Sequence, residues 1–323
     1  MPGRLLLQFL FIAAVVAGIV PARGEDYPSH PIRLIVTTSA GSLVDVLGRV
    51  FAEDLGARLG QNLFVDNRPG GMTQVGVDAL NRAPRDGYTL MIGTSEATML
   101  PFLTKTYRYD PLHDFTPIAL LTTSWTVFAI NPKVPATTLL ELVDYARSRP
   151  GGVRYGTGGV GCALHIAVEM LRLKTGAEFV HVPYRGGAQA AADAIAGQIE
   201  MVSMGLASTR VADNGQLRIL AQTGPVRHPM LPDVPTTAEL GFPEVRMDTW
   251  FGLVGPPELP EAIVARLARE SEAVVREPAF RDKLVKIGCE VAFLPAIEFK
   301  AFIAGETAKW QRLIPAMRLT LTD

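Results

Sequence analysis

Apolar positions along this chain fall into short runs that alternate with longer stretches at three- and four-residue spacing. Ile32, Leu34, Ile35 and Val36 make a run too short for a helix and read as a strand. Beyond it Leu43, Leu47, Val50, Phe51, Leu55 and Leu59 recur at helical spacing, and Gly60 supplies the stop. Small residues, Ser39 to Ser42, join the two. A strand over Leu63 to Asp66, the loop "NRPGG", a helix from Met72 to Asn81 and a strand from Tyr88 to Ile92 follow. A longer β-like passage runs from Pro117 to Ile130, then a helix from Thr138 to Ser148. The pattern then restarts with a strand at Val153 to Gly156, the loop "TGGVGC", a helix from Ala163 to Lys174 and a strand from Phe179 to Pro183.

Alternating strands and helices predict an α/β architecture with largely parallel sheets. The restart after a continuous β passage predicts two similar domains joined by extended crossings. "MDTWFGLVGPP" is a candidate for the return crossing, with helices over Pro260 to Arg276, Pro278 to Ile287 and Ile297 to Leu313 completing the chain. Division then falls at residues 25–123 with 250–323 for one lobe and 124–249 for the other. Ligand sites in open α/β sheets lie beyond the carboxyl ends of strands, so both glycine-containing loops would face one cleft. In each strand–loop–helix unit, the free N–H groups of the first helical turn and the positive end of the helix dipole point into the loop, which favours an anion.

The first two dozen residues have the form of an export signal. Arg4 precedes an apolar stretch from Leu5 to Val20, and Ala22-Arg23-Gly24 places small residues at the minus-three and minus-one positions of a cut after Gly24. No cysteine at that cut offers a lipid anchor, and no later apolar run is long enough to span a bilayer. An exported protein is expected. The formal net charge of −1 carries no nucleic-acid footprint. Cys162 and Cys289, far apart in the chain, make no disulfide framework.

Three motifs invite sharper chemistry. "GTGGVG", Gly156 to Gly161, has the GxGxxG form between a strand and a helix, but the acidic residue expected at the end of the second strand is replaced by Pro183 and Tyr184. Its glycines read instead as backbone that a ligand must approach closely, and no cofactor is expected. Cys162 and His165, three apart at a helix start, could form a thiol–histidine pair, although no third orienting group is visible. No metal-spaced histidine set occurs among the five histidines. Ser42 with Asp45 fits a capping box, so Asp45 reads as a cap.

Taken together, "AGSLVD", "VDNRPGG", "PRDGYTLMIGTS", "YDPLHDFTPIAL", "YGTGGVGCALH", "HVPYRGG", "LPDVPTTAELG" and "TWFGLVGPP", in this order, resemble the periplasmic solute receptors of tripartite tricarboxylate transporters, the Bug proteins. The resemblance covers nearly the whole chain after the export signal. It implies two α/β lobes of the type II periplasmic binding-protein fold, each a mostly parallel sheet flanked by helices, closing over a small carboxylate that is handed to a membrane permease. It also implies a ligand set: backbone donors around Ser39, Ala40, Gly41 and Ser42 from one lobe, those of Gly159, Val160 and Gly161 from the other, and the hydroxyls of Thr94 and Ser95.

Departures from the family pattern bear on the ligand. Thr38 stands where an aromatic residue is usual, Ser42 replaces a glycine, and Val44 replaces a hydroxyl residue. Cys162 replaces a serine, Met204 occupies a commonly acidic position, and Glu96 replaces a small residue. Val44, Cys162 and Met204 remove partners that a second carboxylate would need, which points to a monocarboxylate with an apolar or aromatic body. Glu96, if it faces the cleft, could pair an ammonium. Two other functions remain open at this level: an exported hydrolase using Cys162 and His165, and a sensory module for a receptor kinase.

Overall fold

A computed structural model describes residues 27–212 and 215–319; the export signal and its cut lie outside the described residues. Strand β1 (Ile32–Val36) leads into helix α1 (Leu43–Leu59). Leu47, Phe51, Leu55 and Leu59 of α1 are buried at four-residue spacing. Gly60 ends the helix at φ 69°, in the left-handed conformation that glycine adopts without steric cost, and its N–H bonds the Gly56 carbonyl. After β2 (Leu63–Asn67) a 3-10 turn, Gly71–Thr73, precedes α2 (Gln74–Asn81). The helix expected from Met72 begins later because Gly71 and Thr73 both have positive φ, which a continuous helix does not allow.

Next come β3 (Thr89–Thr94), α3 (Glu96–Leu103) and β4 (Thr116–Ile130). The restart is present as α4 (Leu139–Ser148), β5 (Val153–Thr157), α5 (Ala163–Thr175) and β6 (Phe179–Pro183). It continues through α6 (Gly187–Ala196), β7 (Met201–Gly205) and β8 (Arg218–Gln222). The return crossing is β9 (Asp248–Gly255), followed by α7 (Glu261–Arg276), α8 (Pro278–Lys286), β10 (Glu290–Pro295) and α9 (Ala296–Met317).

The strands run in the order β2-β1-β3-β9-β4-β7-β5-β6, with β8 and β10 also paired to β4. The sheet is mixed. Within each half the outer strands are parallel, β2-β1-β3 on one side and β6-β5-β7 on the other. The strands between them, β9 and β4, pair antiparallel because one carries the chain out of the first half and the other brings it back. β4 spans both halves: its first two-thirds pair β9 and β10, and its last five residues pair β7 and β8.

One apolar cluster packs α1, α7 and α8 against the first half, through Phe51, Leu253 and Phe280. Another packs α6 against β4 and β7. A third runs through both halves and includes Phe128, Tyr155, Trp250, Phe299 and Trp310. Helix α9 therefore ties the halves together, and Arg172 of α5 donates to the Met317 carbonyl at 2.8 Å at its end. Both cysteines are free. No helix of the described residues is long and apolar enough to cross a membrane.

Candidate functional site

The two strand–loop–helix units present the same backbone to one cleft. Ser42, the N-cap of α1, has φ −71° and ψ 164°; Cys162, the N-cap of α5, has φ −70° and ψ 162°. The preceding glycines match as well, Gly41 at φ 82° and Gly161 at φ 77°. Position by position the loops correspond, and four equivalent positions of each line the cleft: Thr38, Ser42, Leu43 and Val44 from the first, Gly158, Cys162, Ala163 and Leu164 from the second. Within the first turn of α1, Asp45 N–H donates to Ser42 Oγ at 3.2 Å and Val46 N–H to the Ser42 carbonyl at 2.9 Å. The N–H groups of Leu43 and Val44 have no acceptor among the described residues, and neither does that of Ala163 in α5. These are the orphan donors that make a helix start an anion site.

Each loop is held from behind by one buried side chain four residues past its glycine. Gly41 N–H donates to Asp45 Oδ2 at 2.9 Å, and Gly161 N–H donates to His165 Nδ1 at 2.9 Å. Burial alone would raise the Asp45 carboxyl. Hydrogen bonds from Arg49, Gly41 and Asn67, with the Arg49 charge, hold it below the usual carboxylate range. Asn67 reaches both Asp45 Oδ1 at 2.9 Å and the Thr38 carbonyl at 3.0 Å, so the end of β2 fixes the first loop. In the second half His181 of β6 takes that place, stacked on His165 with centroids 3.9 Å apart and 2.7 Å from Thr157 Oγ1. Burial pushes both imidazoles down to about 4, His165 further by Arg172 and His181 by His165, so both are neutral at pH 7.

That geometry speaks against a thiol–histidine pair. His165 Nδ1 is already occupied by Gly161 N–H, and desolvation pushes the Cys162 thiol up rather than activating it.

The cleft encloses about 630 Å³, within the range of small-molecule sites. Ser124 and Trp125 of β4 and Thr249 and Phe251 of β9 form its floor, so the crossing strands are part of the site. Gly187 and Ala188, at the start of α6, add a third helix terminus. Gly205 at the end of β7, Ala207 and Ser208 beyond it, and Thr37 beside the first loop also line it. Thr73 is held at φ 78°, a left-handed conformation costly for a β-branched residue, and its hydroxyl is bonded by Tyr107 and Tyr109 at 3.0 and 3.1 Å. None of these was legible from the loop motifs, although "YRGG" after β6 repeats the strand–glycine–helix signal that marks the other loops.

Of the expected ligand residues, Thr38, Gly41, Ser42, Val44, Thr94, Glu96 and Cys162 line the cleft. Others are placed differently. Ser39, Ala40 and Val160 sit exposed on the loop crests, where the chain swings into solvent before the cap. Gly159 and Gly161 shape the second loop, but Gly158 is the glycine on the cleft wall. Ser95 is fully buried, and His165 lies behind the loop it holds. Met204 is 1% exposed and packs with the α6 cluster, because successive strand residues face opposite sides and its neighbour Gly205 takes the cleft side.

A family model described as "Tripartite tricarboxylate transporter family receptor" matches residues 47–319. Protein BugT of Bordetella pertussis (strain Tohama I) is 31% identical over 316 residues, which is 96% of each chain. A solved structure described as a periplasmic transporter is 32% identical with a TM-score of 0.81, covering 92% of this chain and 100% of that one. Rpa4515 of R. palustris, solved with adipate, is 29% identical with a TM-score of 0.81, covering 91% and 99%.

Proposed function

Since the chain belongs to the tripartite tricarboxylate transporter receptor family, we propose that it is a periplasmic receptor that captures a small carboxylate between two lobes and delivers it to a tripartite tricarboxylate-type permease. In this reading residues 1–24 are an export signal, residues 25–123 with 250–323 form one lobe, and residues 124–249 form the other. The protein acts as a monomer and carries out no chemistry. One observation carries the reading: two equivalent helix starts, one from each half, present unpaired backbone N–H groups across one cleft. A carboxylate bridging them would gain about 1.5–3 kcal/mol per charge-assisted hydrogen bond. It would gain this only with both loops in place, so binding favours the closed arrangement.

The rest of the cleft selects the ligand's body. Leu43, Val44 and Leu164 offer apolar surface beside the largely buried Trp125 and Phe251, and among the described residues the lining contains no lysine, arginine or histidine. A second carboxylate would lie without a cationic partner in a site that closing dries, which is strongly disfavoured. The ligand is therefore a monocarboxylate with an apolar or aromatic body, unlike the adipate of the R. palustris relative. A thermal-shift panel of aromatic monocarboxylates, apolar amino acids, dicarboxylates and citrate tests this. Aromatic monocarboxylates or apolar amino acids should stabilise the protein; stabilisation by citrate or succinate alone would contradict the assignment.

A further inference from the structure

Among the described residues the cleft lining holds one charged side chain, and carboxylate capture makes no use of it. Glu96 is the first residue of α3, half-buried, and lines the cleft. Its one hydrogen bond is from Ser95 Oγ, at 3.5 Å to Oε2, and among the described residues it forms no ion pair. Desolvation, and with it the Glu96 charge, pushes up the Cys162 thiol of the other half. Glu96 and the N-cap of α5, where the anion site lies, line the same cleft, one from each half.

A cleft built to hold an anion that also presents an uncompensated anion is electrostatically incomplete. A simple carboxylate adds a second negative charge, and a dicarboxylate adds a third, in a space that closing dries. A ligand with a cation beside its carboxylate satisfies both walls at once. We propose that Glu96 is an ammonium-recognising subsite and that the ligand is a zwitterion: a carboxylate on the helix starts of α1 and α5, an ammonium on Glu96, and an apolar or aromatic body over Trp125 and Phe251. An aliphatic or aromatic α-amino acid has this chemistry. The proposal rests on the reading of the cleft as a carboxylate receptor and adds to it the sign of the neighbouring group.

Three probes with one skeleton isolate that sign: L-phenylalanine, 3-phenylpropionate and benzylmalonate carry an ammonium, a hydrogen and a carboxylate at the same carbon. Calorimetry on the full-length mature protein should rank them in that order, L-phenylalanine at least tenfold tighter than 3-phenylpropionate and benzylmalonate weakest. In Glu96→Gln the advantage of L-phenylalanine should fall below threefold and benzylmalonate should gain. The wild-type ranking needs no variant, so it stands even if Glu96→Gln misfolds. Binding of 3-phenylpropionate as tight as that of L-phenylalanine, or a ratio unchanged in Glu96→Gln, would overturn the Glu96 assignment and leave the carboxylate reading intact. Failure of all three probes to bind would overturn both.

Discussion

Replacing Asp45 with alanine tests whether the first loop is held from behind as described. Asp45 is 3% exposed and accepts hydrogen bonds from Gly41 N–H, Arg49 Nε and Asn67 Nδ2 at 2.9, 3.1 and 2.9 Å. Hydrogen bonds to a charged group contribute about 1.5–3 kcal/mol each, offset by the cost of burying the carboxylate. The Arg49 side chain is 54% exposed and can turn to water, and Asn67 keeps the Thr38 carbonyl as a partner, so the variant strands no buried charge. The loss should therefore be about 2–3 kcal/mol, below the roughly 3–5 kcal/mol of a stranded charge. At about 2–4 °C per kcal/mol for a large domain, Tm should fall by about 5–10 °C. The pH dependence has a definite sign. A carboxyl held below its unfolded value contributes in full above about pH 4 and loses that contribution as pH falls through the lower folded-state value. Urea unfolding followed by circular dichroism should show a gap between wild type and Asp45→Ala that is constant from pH 7 to 5 and narrows below pH 4. A gap under about 0.5 kcal/mol at pH 7, or one undiminished at pH 3, would refute the reasoning.

Cys162→Ser should raise stability by about 1 kcal/mol, because Cys162 has the backbone of Ser42 but makes no side-chain cap bond; a lower Tm would argue against that equivalence. Gly161→Val forces a β-branched residue to φ 77° and should lower ligand affinity at least a hundredfold while far-UV dichroism is unchanged; equal affinity by calorimetry would remove the second loop from the site. His165 and His181, pushed by burial to about 4, bind protons more readily in the unfolded chain, so stability should decline as pH falls from 7 to 5. Imidazole resonances titrating near 6.5 in the folded protein would contradict this. Saturating ligand should change tryptophan emission, and Trp125→Phe should abolish the change, because Trp125, although largely buried, borders the cleft, whereas Trp250 and Trp310 lie in the core away from it.

The two strand–loop–helix units were legible because each carries a regular signal: large apolar residues at helical spacing, and a glycine closing the helix at Gly60 and Gly176. Elements without such a signal escaped. Helix α6, "GAQAAADAIA", buries alanines and lacks a stripe of large residues, and α3 contains Pro101. Strand β10 is a short run whose place was set only by pairing with β4. In the site, motif spacing located the helix caps but could not tell which loop atoms turn inward. Ser39, Ala40 and Val160 therefore read like ligand residues although they face solvent. Met204 and Gly205 show the same limit: a one-residue error in strand facing exchanges a core side chain for a cleft position. Trp125 and Phe251 reach the cleft only because β4 and β9 cross beneath it, a tertiary fact with no local motif.

The central claim is that one carboxylate is gripped at the same time by the starts of α1 and α5. Residue-resolved amide hydrogen exchange tests it, with and without a saturating amount of whichever carboxylate gives the largest thermal shift. Exchange should slow at least tenfold at Leu43 and Val44 and, in the same experiment, at Ala163, whose N–H groups have no acceptor among the described residues. Slowing on one loop alone, or on neither despite a measured affinity, would contradict the account.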